Sequence, residues 1–502
     1  MVYKLPRLRK IEVLIAHFVW WVNFTYLLVV SGVEAQSYKK RFAGLGHLKP
    51  GWISKVLNYF EIDKIQNLHQ RDRRDGEWEQ FLKAGPLLFL AIPFVYTSFY
   101  HLCRFLNFEK EKSRSLLLFL SFSNLTWLLT WQGMLIISLL TAFFYYLGRL
   151  RERFLIYLAA FFVVTVINDH DWVFTQFLHP DLPKRWSYFL VFAISTQIFR
   201  LVSLSLFIAS QENDPDTLFD AFEYNFFLPV FCGPWFIYSY YRKDREKPVL
   251  PNSLFDVLNK LFGLGMLFVF IEFYLHLVPF TSFAYDVRSR SDMSLVGITG
   301  IAMFAVQHFC FKYMVMYGIG SFWSHLCGIR TPGGPHQVST RCTFRDMWRE
   351  FDKGLHLFLK HCIYIPICST RETWRVILGT FASFYTVYYW HGATETCRDW
   401  ATANCAGVML EFMIYRASQT RLIQRFPSSI TGRVNILLQS ILFGWLILSN
   451  VIYLFNSDAA FQIINRVYFE NAQFTLYLHF VLYCGAISIS TIWPKAVKIE
   501  PE

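Results

Sequence analysis

Apolar windows of about 20 residues, separated by short charged loops, recur from one end of the chain to the other. That period belongs to helices that cross a bilayer, not to alternating strands or to the half-apolar helices of a soluble core. The first window runs from about 11 to 33, behind Lys4, Arg7, Arg9 and Lys10. It is too long for the core of a signal peptide and lacks a small-residue cleavage site, so it is read as a retained first span with a cytosolic amino terminus. A charged loop, residues 34–83, follows and is assigned to the lumen, with Trp78 and Phe81 expected at the membrane interface. The other spans are expected at about 84–106, 154–168, 186–209, 252–279, 294–322, 373–392, 401–415, 436–456 and 473–493. That makes about ten spans, an even number that returns Lys495 and Lys498 to the cytosol.

Two apolar stretches do not fit a simple crossing. Residues 115–148 are interrupted at Trp131-Gln132-Gly133 and flanked by Lys110, Lys112 and Arg114 on one side and Arg149, Arg151 and Arg153 on the other. If both flanks are cytosolic the stretch must enter and return. About 34 residues at a rise of 1.5 Å make about 50 Å of helix, short of two crossings of a core about 30 Å thick, so a re-entrant hairpin is predicted. Residues 219–241 pose the same problem: they contain Pro229 and Gly233-Pro234 and end in Arg242-Lys243-Asp244-Arg245. Broken backbone at membrane depth survives only beside protein or a water-filled cavity, so this second hairpin is expected to line an internal chamber. The fold class is therefore an all-α polytopic membrane protein of about ten transmembrane helices plus two re-entrant hairpins.

Composition narrows the alternatives. Of 502 residues, 54% are apolar and 19% aromatic, and only 17% are charged, against about 25% in soluble globular chains. Two or three soluble domains are thereby excluded, and residues 1–502 are read as a single membrane-embedded domain. The net charge of +12 comes from 48 Lys and Arg against 36 Asp and Glu, with the basic residues mostly in loops between spans. This is a topology signal; nucleic acid is not an expected partner. Ten cysteines are scattered, many of them in apolar segments (Cys103, Cys232, Cys310, Cys484), and none form a pair at zinc or redox spacing. They are read as core residues, with no disulfide framework and no metal site. Neither an internal repeat nor a low-complexity segment is evident, so the inverted halves of a secondary transporter are not suggested.

Candidate chemistry rests on two polar positions. His391, in Tyr389-Trp390-His391-Gly392, ends an apolar run long enough to cross a bilayer, and the expected topology turns it toward the lumen. Ionisable groups at membrane depth are costly and mark substrate paths or reaction centres, although a hydrogen-bonded histidine in a helix bundle is the plainer alternative. Asp352 lies in Met347-Trp348-Arg349-Glu350-Phe351-Asp352-Lys353-Gly354-Leu355-His356, expected to be an amphipathic helix at the cytosolic face. On its own, Asp352 reads first as a solvated carboxylate paired with Arg349 or Lys353. His308 is ambiguous between function and packing, and His356 and His361 are expected to see water. The chain has no HxxxD, GxSxG, Walker loop, HExxH or CxxC, so chemistry would rest on His391 and polar groups from other helices.

At these residues the chain resembles the membrane-bound O-acyltransferases, and within them the hedgehog acyltransferase branch of protein-cysteine N-palmitoyltransferases. The resemblance is carried from about residue 344 onward by the MWRxFDxGLHxFL string holding Asp352, by Tyr364-Ile365-Pro366, by the YWHG at Tyr389 to Gly392, and by Leu448-Ser449-Asn450. Earlier, Tyr224-Asn225-Phe226-Phe227-Leu228-Pro229 with Gly233-Pro234 is similar to the family's re-entrant segment, and Tyr317-Gly318 also fits; the first third of the chain matches in hydropathy alone. WHG by itself is modestly specific. WHG about 40 residues after FDxGLH is a strong pattern.

The resemblance implies a tunnel through the endoplasmic reticulum membrane, or that of the Golgi, and makes residues 344–493 the catalytic half. Acyl-CoA, as palmitoyl-CoA, would enter from the cytosol as donor, and a secreted protein with an amino-terminal cysteine, hedgehog-like or another signalling ligand, from the lumen, with membrane lipids around. By the same resemblance His391 is the catalytic histidine, Asp352 the second essential polar residue, and Trp348 and Asn450 supporting positions near the acyl chain and its gate. The chain keeps the histidine that an inactive-looking branch loses. Where vertebrate members carry a haem-ligating cysteine just after a proline, it has Pro335-His336-Gln337; Cys342 and His336 are out of register, and haem is not inferred. A lysolipid, a glycolipid anchor or a serine hydroxyl remains an alternative acceptor on the same fold, and a non-enzymatic transporter or scaffold shares the hydropathy.

Overall fold

The computed structural model describes residues 10–51, 54, 55, 59, 70–169, 184–211, 216–370 and 372–492. The basic residues up to Arg9, and Lys495 and Lys498, fall outside them. Among the described residues, eight helices are long and apolar enough to cross a membrane: Lys10–Ser37, Gly76–Phe105, Trp131–Arg149, Val191–Ser210, Leu254–Leu277, Leu295–Leu326, Ser428–Phe455 and Ala472–Ile492. Seven correspond to expected spans; the remaining one is an arm of the first hairpin. The expected spans at 154–168, 373–392 and 401–415 are also helices, Arg153–Ile167, Thr373–Trp390 and Glu395–Ser418, but too short or too polar for that measure. Apart from these helices, Leu48–Pro50 pairs antiparallel with Gln70–Asp72 in a two-stranded ribbon.

The second span begins earlier than its hydropathy suggests. Asp75 accepts a hydrogen bond from the Trp78 backbone N–H (3.0 Å) and caps the helix at Gly76. Trp78 and Phe81 are consequently buried, not interfacial. The indole N–H of Trp78 donates to Glu272 (2.6 Å), a carboxylate that itself has no access to water.

Both hairpins return to their own starting point. The first consists of Lys110–Leu128 and Trp131–Arg149, 19 residues each, or about 28 Å per arm. The first arm is longer than expected because its helix extends back through the charged flank to Lys110. They turn at Leu129 and Thr130, where the Thr130 hydroxyl caps the second arm. The second hairpin is Leu218–Asn225, a tight turn at Leu228–Val230, irregular chain, and Tyr238–Glu246. All four ends meet in one charge network. Arg114, opening the first hairpin, pairs with Asp220 and Glu223 at the start of the second. Arg149, closing the first, donates to the Asp216 carbonyl. Arg242 and Arg245, closing the second, pair with Asp216 and Asp220.

The broken chain between the arms of the second hairpin is buried at every residue from 224 to 238. Its backbone is satisfied by side chains from outside the segment and from within it, as apolar surroundings require. Arg200, 4% exposed, donates to the carbonyls of Asn225 and Val230. Ser203 accepts from the Tyr238 N–H (2.8 Å), and Tyr224 donates to the Phe236 carbonyl (2.7 Å). A rigid irregular segment is thus held in the interior of the bundle.

Candidate active site

The YWHG motif is a helix end. Helix Thr373–Trp390 stops at His391, and Gly392 takes a left-handed φ of +89° that an L side chain rarely adopts. The Gly392 N–H donates to Tyr389 and the Ala393 N–H to Tyr388, the paired bonds of a Schellman stop. Thr394 then caps helix Glu395–Ser418. The residues before the histidine are anchored outward. Tyr389 stacks on Phe161 (4.9 Å between ring centres, 9°), its carbonyl accepts from Asn168 and its hydroxyl bonds Thr165, while the Trp390 indole donates to the Ser195 carbonyl. His391 is left facing inward, its ring 5.7 Å from Tyr453 and 6.3 Å from Trp400. Among the described residues that ring makes no hydrogen bond or ion pair.

Asp352 is not within one amphipathic helix. The chain breaks there: Phe344–Phe351 ends, Asp352 is extended (φ −124°, ψ 90°), and its Oδ1 accepts from the Leu355 N–H (2.9 Å) to cap Lys353–Phe358. A carboxylate paired with Arg349 or Lys353 is also not what the structure contains. Arg349 pairs with Asp346 and Glu350, and Lys353 with Glu350 and His336. Asp352 instead accepts from the Tyr317 hydroxyl (3.4 Å). Burial pushes its carboxyl up to about 6, opposed by the hydrogen bonds from Leu355 and Tyr317.

His391, Asp352, Trp348 and Asn450 all line one cavity of about 550 Å³, within the range of about 300–1,000 Å³ usual for small-molecule sites. The Trp348 indole donates to Asn404 (3.1 Å), and Ser449, beside Asn450, donates to the same Asn404 oxygen. One buried amide thus fixes the Met-Trp-Arg and Leu-Ser-Asn motifs to a third helix. Arg345, Arg349 and Lys360 also reach the cavity wall. So does His356, expected to see bulk water; burial, then Lys360 and Arg349, hold it down to about 4. His308 stands away from the cavity, paired with Asp75 (2.7 Å).

Other cavity residues are not singled out by a motif. Trp235, from the buried broken segment, packs on Trp390 (5.0 Å) and presents its carbonyl to Gly354, where any Cβ would overlap the oxygen. Tyr453 and Trp400 are aromatic residues whose facing depends on packing, and hydropathy does not separate them from lipid-facing neighbours. Glu411, an ionisable group inside the expected span 401–415, carries the same kind of signal as His391 and was missed. Of the haem candidates, Cys342 is buried against Ser490, and His336 is engaged by Lys353 and Glu350.

The model of the membrane-bound O-acyltransferase family matches residues 126–453, a segment holding His391, Asp352, Trp348 and Asn450. The chain belongs to this family. It is similar to protein-cysteine N-palmitoyltransferase HHAT of Mus musculus, 28% identical over 287 residues, 55% of this chain and 57% of that protein. Protein-cysteine N-palmitoyltransferase Rasp of Drosophila melanogaster is 23% identical over 375 residues, 71% of this chain and 73% of that one. The HHAT-like protein of Mus musculus is 22% identical over 300 residues, 58% and 59% of the two chains. The chain thus spans a little over half the length of the mouse relatives it matches.

Proposed function

We propose that this chain transfers a long-chain acyl group, palmitoyl in the likeness of its relatives, from acyl-CoA to the amino-terminal cysteine of a secreted signalling protein at the endoplasmic reticulum lumen. The observation that carries the reading is the meeting of His391 and Asp352, from separate helices, on one largely apolar cavity. In this scheme the basic side chains Arg345, Arg349 and Lys360 receive the phosphates of the donor, and Trp348 and Asn450 lie along the acyl path. Apolar walls host the tail and exclude water, which protects the thioester from hydrolysis.

The acceptor chemistry is undemanding. A free α-amine has a pKa of about 7.7–8.0, so a useful fraction is neutral near pH 7, and His391 removes a proton as the tetrahedral intermediate forms. A serine hydroxyl asks far more of the base. Acyl transfer from a clickable palmitoyl-CoA analogue, with the purified chain in micelles, to peptides beginning Cys or Ser and to lysophospholipid tests the proposal. Labelling of the Cys peptide is expected; labelling of lysophospholipid alone would contradict it.

A further inference from the structure

Phe309, Tyr313 and Tyr317 stand four residues apart on helix Leu295–Leu326 and all face the cavity. Neighbouring rings touch, at 5.0 Å for Phe309 and Tyr313 and 5.1 Å for Tyr313 and Tyr317. At one end Tyr317 donates to Asp352. At the other Phe309 meets Tyr453 (5.8 Å), which meets His391 (5.7 Å). This aromatic wall spans the whole interval between the carboxylate and the histidine.

Directly behind it lies a group of buried charges that the proposed reaction does not use. Lys312, 6% exposed, holds its ammonium over the rings of Phe309 (5.2 Å) and Tyr313 (5.8 Å). It pairs with Asp75 (3.0 Å) and Glu77 (2.6 Å). Glu77 in turn accepts the Tyr313 hydroxyl (2.8 Å). Charges inside a membrane bundle are expensive and are rarely present for stability alone. Capping of helix Gly76–Gly85 needs Asp75 but neither Lys312 nor Glu77.

We infer that Glu77 and Lys312 are positioning residues for the reaction centre: they fix Tyr313 from behind and so set the register of the wall between Asp352 and His391. The inference rests on the acyl-transfer reading above. Tyr313 is the link, because its ring lines the cavity while its hydroxyl belongs to the charge cluster.

The test uses the full chain in micelles, with kcat and KM for transfer to the Cys peptide, melting temperature, and the Kd of a non-hydrolysable acyl-CoA analogue. Tyr313→Phe keeps the ring and removes the tie; a kcat loss of about 10- to 100-fold with an unchanged donor Kd is expected. Glu77→Leu should lose as much, Glu77→Gln, which still accepts the hydroxyl, should recover most of it, and the Tyr313→Phe/Glu77→Leu double should lose no more than either single. Should Glu77→Leu fail to fold, Tyr313→Phe decides alone, with Glu77→Gln expected to stay near the parental kcat. Parental kcat in folded Tyr313→Phe overturns the inference, as do losses that multiply in the double. A parental chain that acylates neither peptide nor lysolipid overturns the acyl-transfer reading with it.

Discussion

Trp235 and Trp390 meet edge to face, their ring centres 5.0 Å apart at 77°. The broken segment of the second hairpin therefore bears on the residue next to His391, and through Gly354 it also bears on the turn that carries Asp352. One irregular stretch, buried throughout and satisfied by Arg200, Ser203 and its own side chains, is the common support of both candidate groups.

Gly354→Ala tests that support. Gly354 lies in helix Lys353–Phe358, where propensity alone would make alanine stabilising by about 0.5–1 kcal/mol. Its Cβ would instead overlap the Trp235 carbonyl oxygen, and overpacking costs about 1–3 kcal/mol. A lower melting temperature in micelles, with reduced transfer, is expected; a stabilised, active variant would show that the contact does not hold the site.

His391→Ala should leave the fold and donor binding intact while lowering turnover. General base catalysis contributes about 100- to 10,000-fold, and an already nucleophilic amine places the loss near the lower end. Unchanged turnover in a well-folded variant would remove His391 from the mechanism.

Asp352 predicts opposite trends of activity and stability with pH. Its carboxyl is raised from 3.8 to about 6 in the folded chain. The folded state therefore binds the extra proton between those values, and stability relative to Asp352→Asn falls as pH rises from about 4 through about 6. Transfer, if it needs the carboxylate, rises over the same interval. Paired melting and rate profiles of parent and Asp352→Asn check both; an Asn variant with full activity and the same acid limb would return Asp352 to a capping role alone.

Membrane orientation is tested by single cysteines at Arg149, Arg242, Arg345 and Thr394 in a background without accessible thiols. In sealed microsomes the first three should label from the cytosolic side and Thr394 from the lumen. The shared charge network of the two hairpins requires residues 149 and 242 to label from the same side. Opposite labelling would be incompatible with both hairpins returning.

Much of this was legible because apolar length and basic flanks report membrane crossing directly. The two hairpins were readable for the same reason: Pro229, Gly233-Pro234 and doubled basic flanks are local features. What escaped was set by long-range packing. The start at Gly76 follows from the Asp75 cap, a polar signal that hydropathy does not register, and the burial of Trp78 depends on Glu272, 194 positions away. Asp352 was recognised by motif but assigned to a continuous helix, because an aspartate that caps the next helix leaves the amphipathic period undisturbed. Tyr453 and Trp400 were invisible as cavity residues, since an aromatic residue in a membrane helix reads the same whether it faces lipid or a cavity; Trp235 lay in the segment expected to line a chamber and Tyr317 in a matched motif, but their contacts with Trp390 and Asp352 are set by packing.

The most direct measurement of the central claim is the linkage of the acyl group in the product. The purified chain is given palmitoyl-CoA and a short peptide with a free amino-terminal cysteine, and the product is treated with neutral hydroxylamine before mass spectrometry. Amide resonance resists this reagent, whereas a thioester or an activated ester is cleaved. An acylated peptide that survives, and that disappears when the amino terminus is acetylated, is the predicted result. Acylated lysophospholipid with no stable product on any free-amine peptide would contradict it.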